Sequence, residues 1–144
     1  MIETASPGVT MTAKYTLLAE LIQATLGSYQ IATQTGSVAA AYCPGSFDLS
    51  VQGRKIAGMS QYWFRNRCGI HCLVAAASIN VEQPPDLLSR LVNQFYISAG
   101  SPFRCRATAL TNMRLCGATA HLAGEDLAEA VMNQFGSCAA MLGV

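Results

Sequence analysis

Gln52-Gly53 lies between two strand-like runs, Phe47 to Val51 and Arg54 to Gln61, and this pair constrains the fold more than any other feature of the chain. Glycine enters positive φ without a Cβ penalty, as a two-residue hairpin turn requires. The spacing therefore predicts an antiparallel hairpin. A third strand is expected over Gly69 to Val81, after a polar tip at Arg65, Asn66 and Arg67, because its residues alternate and several are β-branched. Tyr29 to Thr33 is a short strand candidate, and a loose Gly/Ser/Ala stretch then leads to Cys43.

Helices flank these strands. From Thr12 to Leu26 the residues Leu17, Leu18, Leu21, Ile22 and Leu26 recur at helical spacing, and Gly27 is the residue type that ends a helix in the left-handed conformation. Pro84-Pro85-Asp86 starts a second helix to about Ala99, with Leu87, Leu88, Leu91, Val92, Phe95 and Tyr96 on its apolar face. Thr108 to Cys116 and Glu125 to Phe135 also read as helices, the latter stopping at Gly136. Strands precede most helices, which points to an α+β domain in which an antiparallel or mixed sheet packs with helices. At 144 residues, 51% of them hydrophobic, the chain supports one core and one domain over residues 1–144.

Charge narrows the function. Charged residues make up 12% and the net charge is +1, so the basic footprint of a nucleic-acid binder is missing. The apolar stretches are short, and the N-terminus carries Glu3 and no basic-then-apolar run, so neither a membrane span nor a signal peptide is expected. The cytoplasm is the expected compartment, with the cysteines at 43, 68, 72, 105, 116 and 138 as reduced thiols. So few charges also suggest that some apolar surface meets a partner.

Along a regular strand Lys55, Ala57, Met59 and Gln61 would share one face, and Arg54, Ile56, Gly58 and Ser60 the other. A lysine beside an apolar groove can hold a carboxylate, a thioester carbonyl or a phosphate; the alternative is a snorkelling surface lysine. Gly58 allows close approach to the backbone, or marks a simple bulge. Cys43 precedes a Pro-Gly turn and so should reach solvent, where a neighbouring cation would favour its thiolate and make it an acyl acceptor. Otherwise it is a small hydrophobe. Asp48 either caps the turn or orients a partner.

Cys68-Gly69-Ile70-His71-Cys72 invites a metal reading. In a strand, however, the two cysteines would stand about 13 Å apart with His71 on the opposite face, so no local metal site is expected. His71 either lines a site or is satisfied within the sheet, and His121 carries no signal. Gly-x-Gly-x-x-Gly, phosphate-loop and Gly-x-Ser-x-Gly motifs are all missing.

Tyr42-Cys43-Pro44-Gly45-Ser46-Phe47-Asp48-Leu49, followed by Gly53-Arg54-Lys55-Ile56-Ala57-Gly58 and Ser60-Gln61, resembles the central signature of the lipoate-protein ligase and octanoyltransferase family, which shares a fold with biotin ligases. The resemblance runs from about Tyr15 onward. It implies that Lys55 contacts the acyl carbonyl, and the adenylate phosphate in ATP-using members, by stabilising negative charge. It also implies that Cys43 forms a thioester in members that take octanoate from a carrier protein or lipoyl domain; Gly58, Ser60, Gln61, Asp48 and His71 are the expected substrate-binding residues beside them. Lipoate or octanoate is the implied substrate, and ATP with magnesium serves the ligase branch, although the usual nucleotide-binding motif is missing. Implied partners are lipoyl domains of 2-oxoacid dehydrogenases or the glycine cleavage protein, and acyl carrier protein.

Family members carry an Arg-rich strand and a triple-glycine turn upstream of this signature, so the resemblance implies a domain lacking its N-terminal half. An uncovered sheet face would then meet that half or a second copy of the chain. The competing expectation is a split or truncated relative that binds acyl groups or a partner without turnover. A redox or metal protein built on the cysteines is disfavoured, because their spacing forms no ligand set.

Overall fold

The computed structural model describes residues 2–3, 11–118 and 124–142; His121 lies outside them. Five strands, β1 (Ile2–Glu3), β2 (Gln34–Thr35), β3 (Leu49–Val51), β4 (Arg54–Arg65) and β5 (His71–Ile79), form a sheet in the order β1-β5-β4-β3-β2, every pair antiparallel. Three helices, α1 (Met11–Gly27), α2 (Pro85–Ser98) and α3 (Gly124–Leu142), complete an α+β fold. One face of the sheet packs on α1 and α3, where Leu18, Ile22, Leu26, Leu49, Ile56, Ala57, Met113, Leu127 and Val131 form the main core.

Gln52 and Gly53 have φ of 51° and 74°, the two positive values that a right-twisted hairpin favours. The hairpin is longer than its sequence run. Beyond Gln61, Tyr62 to Arg65 continue β4 through regular pairs with β5, ending at Arg65 opposite His71. The tip closes because Asn66 Oδ1 accepts the N–H groups of Cys68 and Ile70 at 2.9 and 3.0 Å, while Gly69 takes φ of 78°.

Four expected elements differ. Tyr29 to Thr33 forms no strand; α1 stops at Gly27 as expected, but the left-handed residue beyond it is Gln30, φ 61°, and strand pairing begins only at Gln34. Phe47 lies in the turn before β3 and stacks on Tyr15 at 5.0 Å. Thr108 to Cys116 is not a helix. A short 3-10 turn at Ala107–Ala109 leads Leu110 into a parallel bridge with Lys55; Thr111 then donates to Lys55 O at 2.9 Å and Met113 to Asn80 O at 3.0 Å. Carbonyls at the sheet margin thus capture N–H groups that a helix would have bonded internally. Conversely, α3 runs through Gly136 to Leu142, because burial of Leu127, Val131 and Cys138 outweighs a glycine cost of about 1 kcal/mol.

Among the described residues the opposite sheet face is covered only near β3 and the first residues of β4. There Val38, Ala41, Cys105, Ala109 and Leu110 form a second cluster against Leu88 and Val92 of α2. Further along, Tyr62 is 66% exposed, stacked on Phe64 at 5.7 Å, with exposed Val74 opposite it on β5. No helix among the described residues is long and apolar enough to cross a membrane.

Candidate functional site

A bulge decides where Lys55 points. Ser50 pairs with Lys55 but Leu49 pairs with Ala57, so Ile56 is an extra residue in β4. Ile56 and Ala57 consequently both enter the core. This overturns the face assignment expected from simple alternation: Lys55 parts from Ala57 and Met59 and joins Gly58 and Ser60 on the other face. The side chain lies across Gly58, where a Cβ would sit 3.1 Å from both Cε and Nζ. Gly58 therefore provides the close approach expected of it, which a Cβ would crowd.

The amine does not snorkel. Lys55 is 3% exposed, and its Nζ donates to Asp48 Oδ2 at 2.8 Å, Tyr42 O at 3.0 Å and Cys43 O at 3.1 Å, under the Tyr42 ring at 4.7 Å. Three donors meet three acceptors, which is what keeps a charge of this kind buried. Asp48, also 3% exposed, serves both roles considered for it: the same Oδ2 accepts the Gly45 N–H at 2.9 Å, closing the turn, and balances the lysine. Tyr42 responds to these surroundings. Burial first, then the charge of Asp48, raises its phenol above the usual value.

Cys43 is exposed and has φ of 40°, a left-handed conformation unusual without a glycine. Its carbonyl is held by Lys55, its N–H donates to the Tyr96 hydroxyl at 3.0 Å, and its Sγ lies 3.6 Å from the same oxygen. Tyr96 is brought there by α2, whose Asn93 bonds both N–H and C=O of Cys105 at 2.7 and 2.9 Å. The Tyr96 phenol sits above its ordinary value: the Cys43 N–H lowers it, but the neighbouring thiol and burial raise it. It is therefore a protonated donor at neutral pH. Cys105 lies in the same neighbourhood, and burial raises its thiol.

Cys43, Asp48, Lys55, Gly58 and Ser60 line one open cavity of about 260 Å³, floored by Ala76, Ala77 and Ser78 of β5. Small residues leave the trough clear. Gln61 and His71 stand apart from it. Gln61 bonds the Met11 carbonyl and the Trp63 indole, and His71, exposed at the far end of β5, accepts from Arg65 Nε at 3.0 Å. Sequence reasoning missed Tyr96 as a site neighbour. Helical periodicity counted it as part of an apolar face, and nothing local links it to a residue more than fifty positions away. All six cysteines are free, and among the described residues no group of three or more His, Cys, Asp or Glu could hold a metal.

Comparison with known proteins agrees with this fold. The family described as "Lipoyl protein ligase A/B catalytic domain" matches residues 1–136. Octanoyl-[GcvH]:protein N-octanoyltransferases of Kyrpidia tusciae and Bacillus velezensis are 33% and 28% identical to the chain, covering 74% and 69% of it but 39% and 33% of their own length. A lipoyl-[GcvH]:protein N-lipoyltransferase of Listeria monocytogenes is 33% identical over 46% of the chain and 22% of its own. A solved lipoate-protein ligase A bound with ATP superposes with a TM-score of 0.60 at 14% identity, covering 92% of this chain and 48% of that one. The chain thus spans well under half the length of the curated relatives cited.

Proposed function

The chain belongs to the lipoyl protein ligase A/B catalytic domain family, and on that premise we propose that it moves an octanoyl or lipoyl group onto a lysine of a lipoyl domain, with Cys43 as covalent relay. The observation that carries this reading is the shared placement of Cys43 and Lys55 on one cavity, with the lysine amine bonded to the carbonyl of the cysteine. In the first step the Cys43 thiolate attacks the donor's acyl carbon; a carbon–sulfur bond forms, the bond to the donor nitrogen or sulfur breaks, and the departing group takes a proton. In the second, a neutral target lysine attacks the thioester; a carbon–nitrogen bond forms, the amine loses a proton and the thiolate is released. Dividing one transfer in this way lowers each barrier.

Lys55 fixes the Cys43 turn and, by exchanging one carbonyl for the substrate oxygen, stabilises the negative charge of each tetrahedral intermediate. The donor is a lipoyl protein such as the glycine cleavage protein, on the likeness to relatives whose names carry GcvH, or an acyl carrier protein; acceptors are lipoyl domains of 2-oxoacid dehydrogenases. Free thiols favour a reducing compartment, the cytoplasm.

A second reading has its own observation. All three hydrogens of the Lys55 amine are engaged within the chain, which favours a family member that binds acyl groups without turnover. The test is incubation of the chain with octanoyl carrier protein and with an octanoylated lipoyl domain, read by intact mass. An acyl adduct that disappears in Cys43→Ser supports the relay. Adenylate formation from ATP and lipoate, lost in Lys55→Ala, would replace the relay with the ligase route, and binding without either product would leave the second reading.

A further inference from the structure

Every polar group of Cys43 is tied to a residue distant in sequence, and two of the three ties converge on one phenol. The Cys43 N–H points at the Tyr96 oxygen at 3.0 Å, the sulfur lies 3.6 Å from that oxygen, and the carbonyl accepts from Lys55. A tyrosine hydroxyl has one hydrogen to give and lone pairs to receive with. Since the oxygen already receives the backbone N–H, its own hydrogen is free for the sulfur. A thiolate has no hydrogen, so once Cys43 ionises the phenol is the donor of the pair.

We propose that Tyr96 is a positioning residue for the relay cysteine: it holds the Cys43 turn in its left-handed conformation through the backbone N–H and donates its hydroxyl hydrogen to the Cys43 thiolate. The inference rests on the relay reading of Cys43 given above. Cys43 at φ 40° occupies a conformation that a non-glycine residue keeps only when its surroundings enforce it. The enforcing side chain is itself anchored. Its ring packs edge-on against Phe103 at 5.1 Å and against Phe95 at 5.9 Å, and Asn93, one turn earlier on α2, clamps Cys105 in the adjoining segment. The thiolate is the attacking species of the first step and the leaving species of the second, so one hydrogen bond serves both. Between the steps the sulfur is a neutral thioester and the phenol hydrogen is free to reorient.

Tyr96→Phe removes the hydroxyl and keeps the ring. In a Cys68→Ser background, which removes the other exposed thiol, iodoacetamide alkylation of Cys43 is followed by peptide mass from pH 6 to 9. The variant should react more slowly across this range, because the attacking thiolate loses a hydrogen-bond donor. At pH 7 it should react about threefold or more slowly. Phe103→Leu loosens the ring packing without touching the hydroxyl; it should lower the melting temperature and slow alkylation less than Tyr96→Phe does. Superimposable profiles for the parent and Tyr96→Phe would overturn the proposal, as would an equal slowing by Phe103→Leu. Alkylation requires no acyl donor, so a relay that fails in the Cys43→Ser transfer test is distinguishable from a phenol that fails here.

Discussion

Lys55 crosses Gly58 so closely that a methyl group at position 58 would stand 3.1 Å from both Cε and Nζ. The lysine has nowhere cheap to go, because its amine is pinned by Asp48 and two carbonyls. Gly58→Ala should therefore cost about 1 to 3 kcal/mol of stability, in the range of an overpacked core. It should also cut Cys43 acylation by about tenfold or more. Urea unfolding and an intact-mass acylation time course check the two; an alanine variant that acylates at the parent rate would remove Gly58 from the site.

Asp48 and Lys55 form a buried pair at 2.8 Å with 3% and 2% of their side chains exposed. Breaking such a pair leaves an uncompensated charge, whereas replacing both members need not destabilise. Asp48→Asn and Lys55→Met should each cost about 3 to 5 kcal/mol, and the double variant should recover most of that loss without recovering acyl transfer. Urea titrations of the four proteins measure the coupling. Additive single losses would show that the pair is not the buried unit described here.

Tyr42 supplies a pH dependence. Its phenol is raised above 10.0, by burial first and then by Asp48. The folded state therefore keeps this proton at pH values where the unfolded chain has released it. Below pH 10 both states hold the proton and the contribution is fully present; as pH rises past the unfolded value the unfolded chain is increasingly favoured, until the folded phenol titrates too. The parent should lose stability more steeply than Tyr42→Phe between about pH 9.5 and 11, measured as urea midpoints against pH. Parallel curves for the two proteins would refute this.

The hairpin, the α1 and α2 helices and the third long strand were legible because each is written in local periodicity or in one turn. Gln52-Gly53 announces its own geometry, and Lys55, Cys43 and Asp48 sit inside a recognisable signature around it. Thr108 to Cys116 was not legible. Its spacing is helical, yet carbonyls at the sheet margin take its N–H groups, and those carbonyls belong to residues far away in sequence. Gly136 misled in the opposite direction, since a local stop signal yields to the burial of Leu127, Val131 and Cys138 along α3.

By itself the sequence determined the α+β class, the positions of most elements and the short list of reactive side chains, because these depend on steric preferences within a few residues. The tertiary structure decided which of those side chains meet. One extra residue in β4 turned Lys55 away from the core and over Gly58 and parted it from Gln61, the β4–β5 register put His71 at the far end of the sheet, and the packing of α2 delivered Tyr96 to Cys43. Strand periodicity has a period of two, so a single bulge set by long-range pairing reverses every later assignment of face, and no local pattern records it.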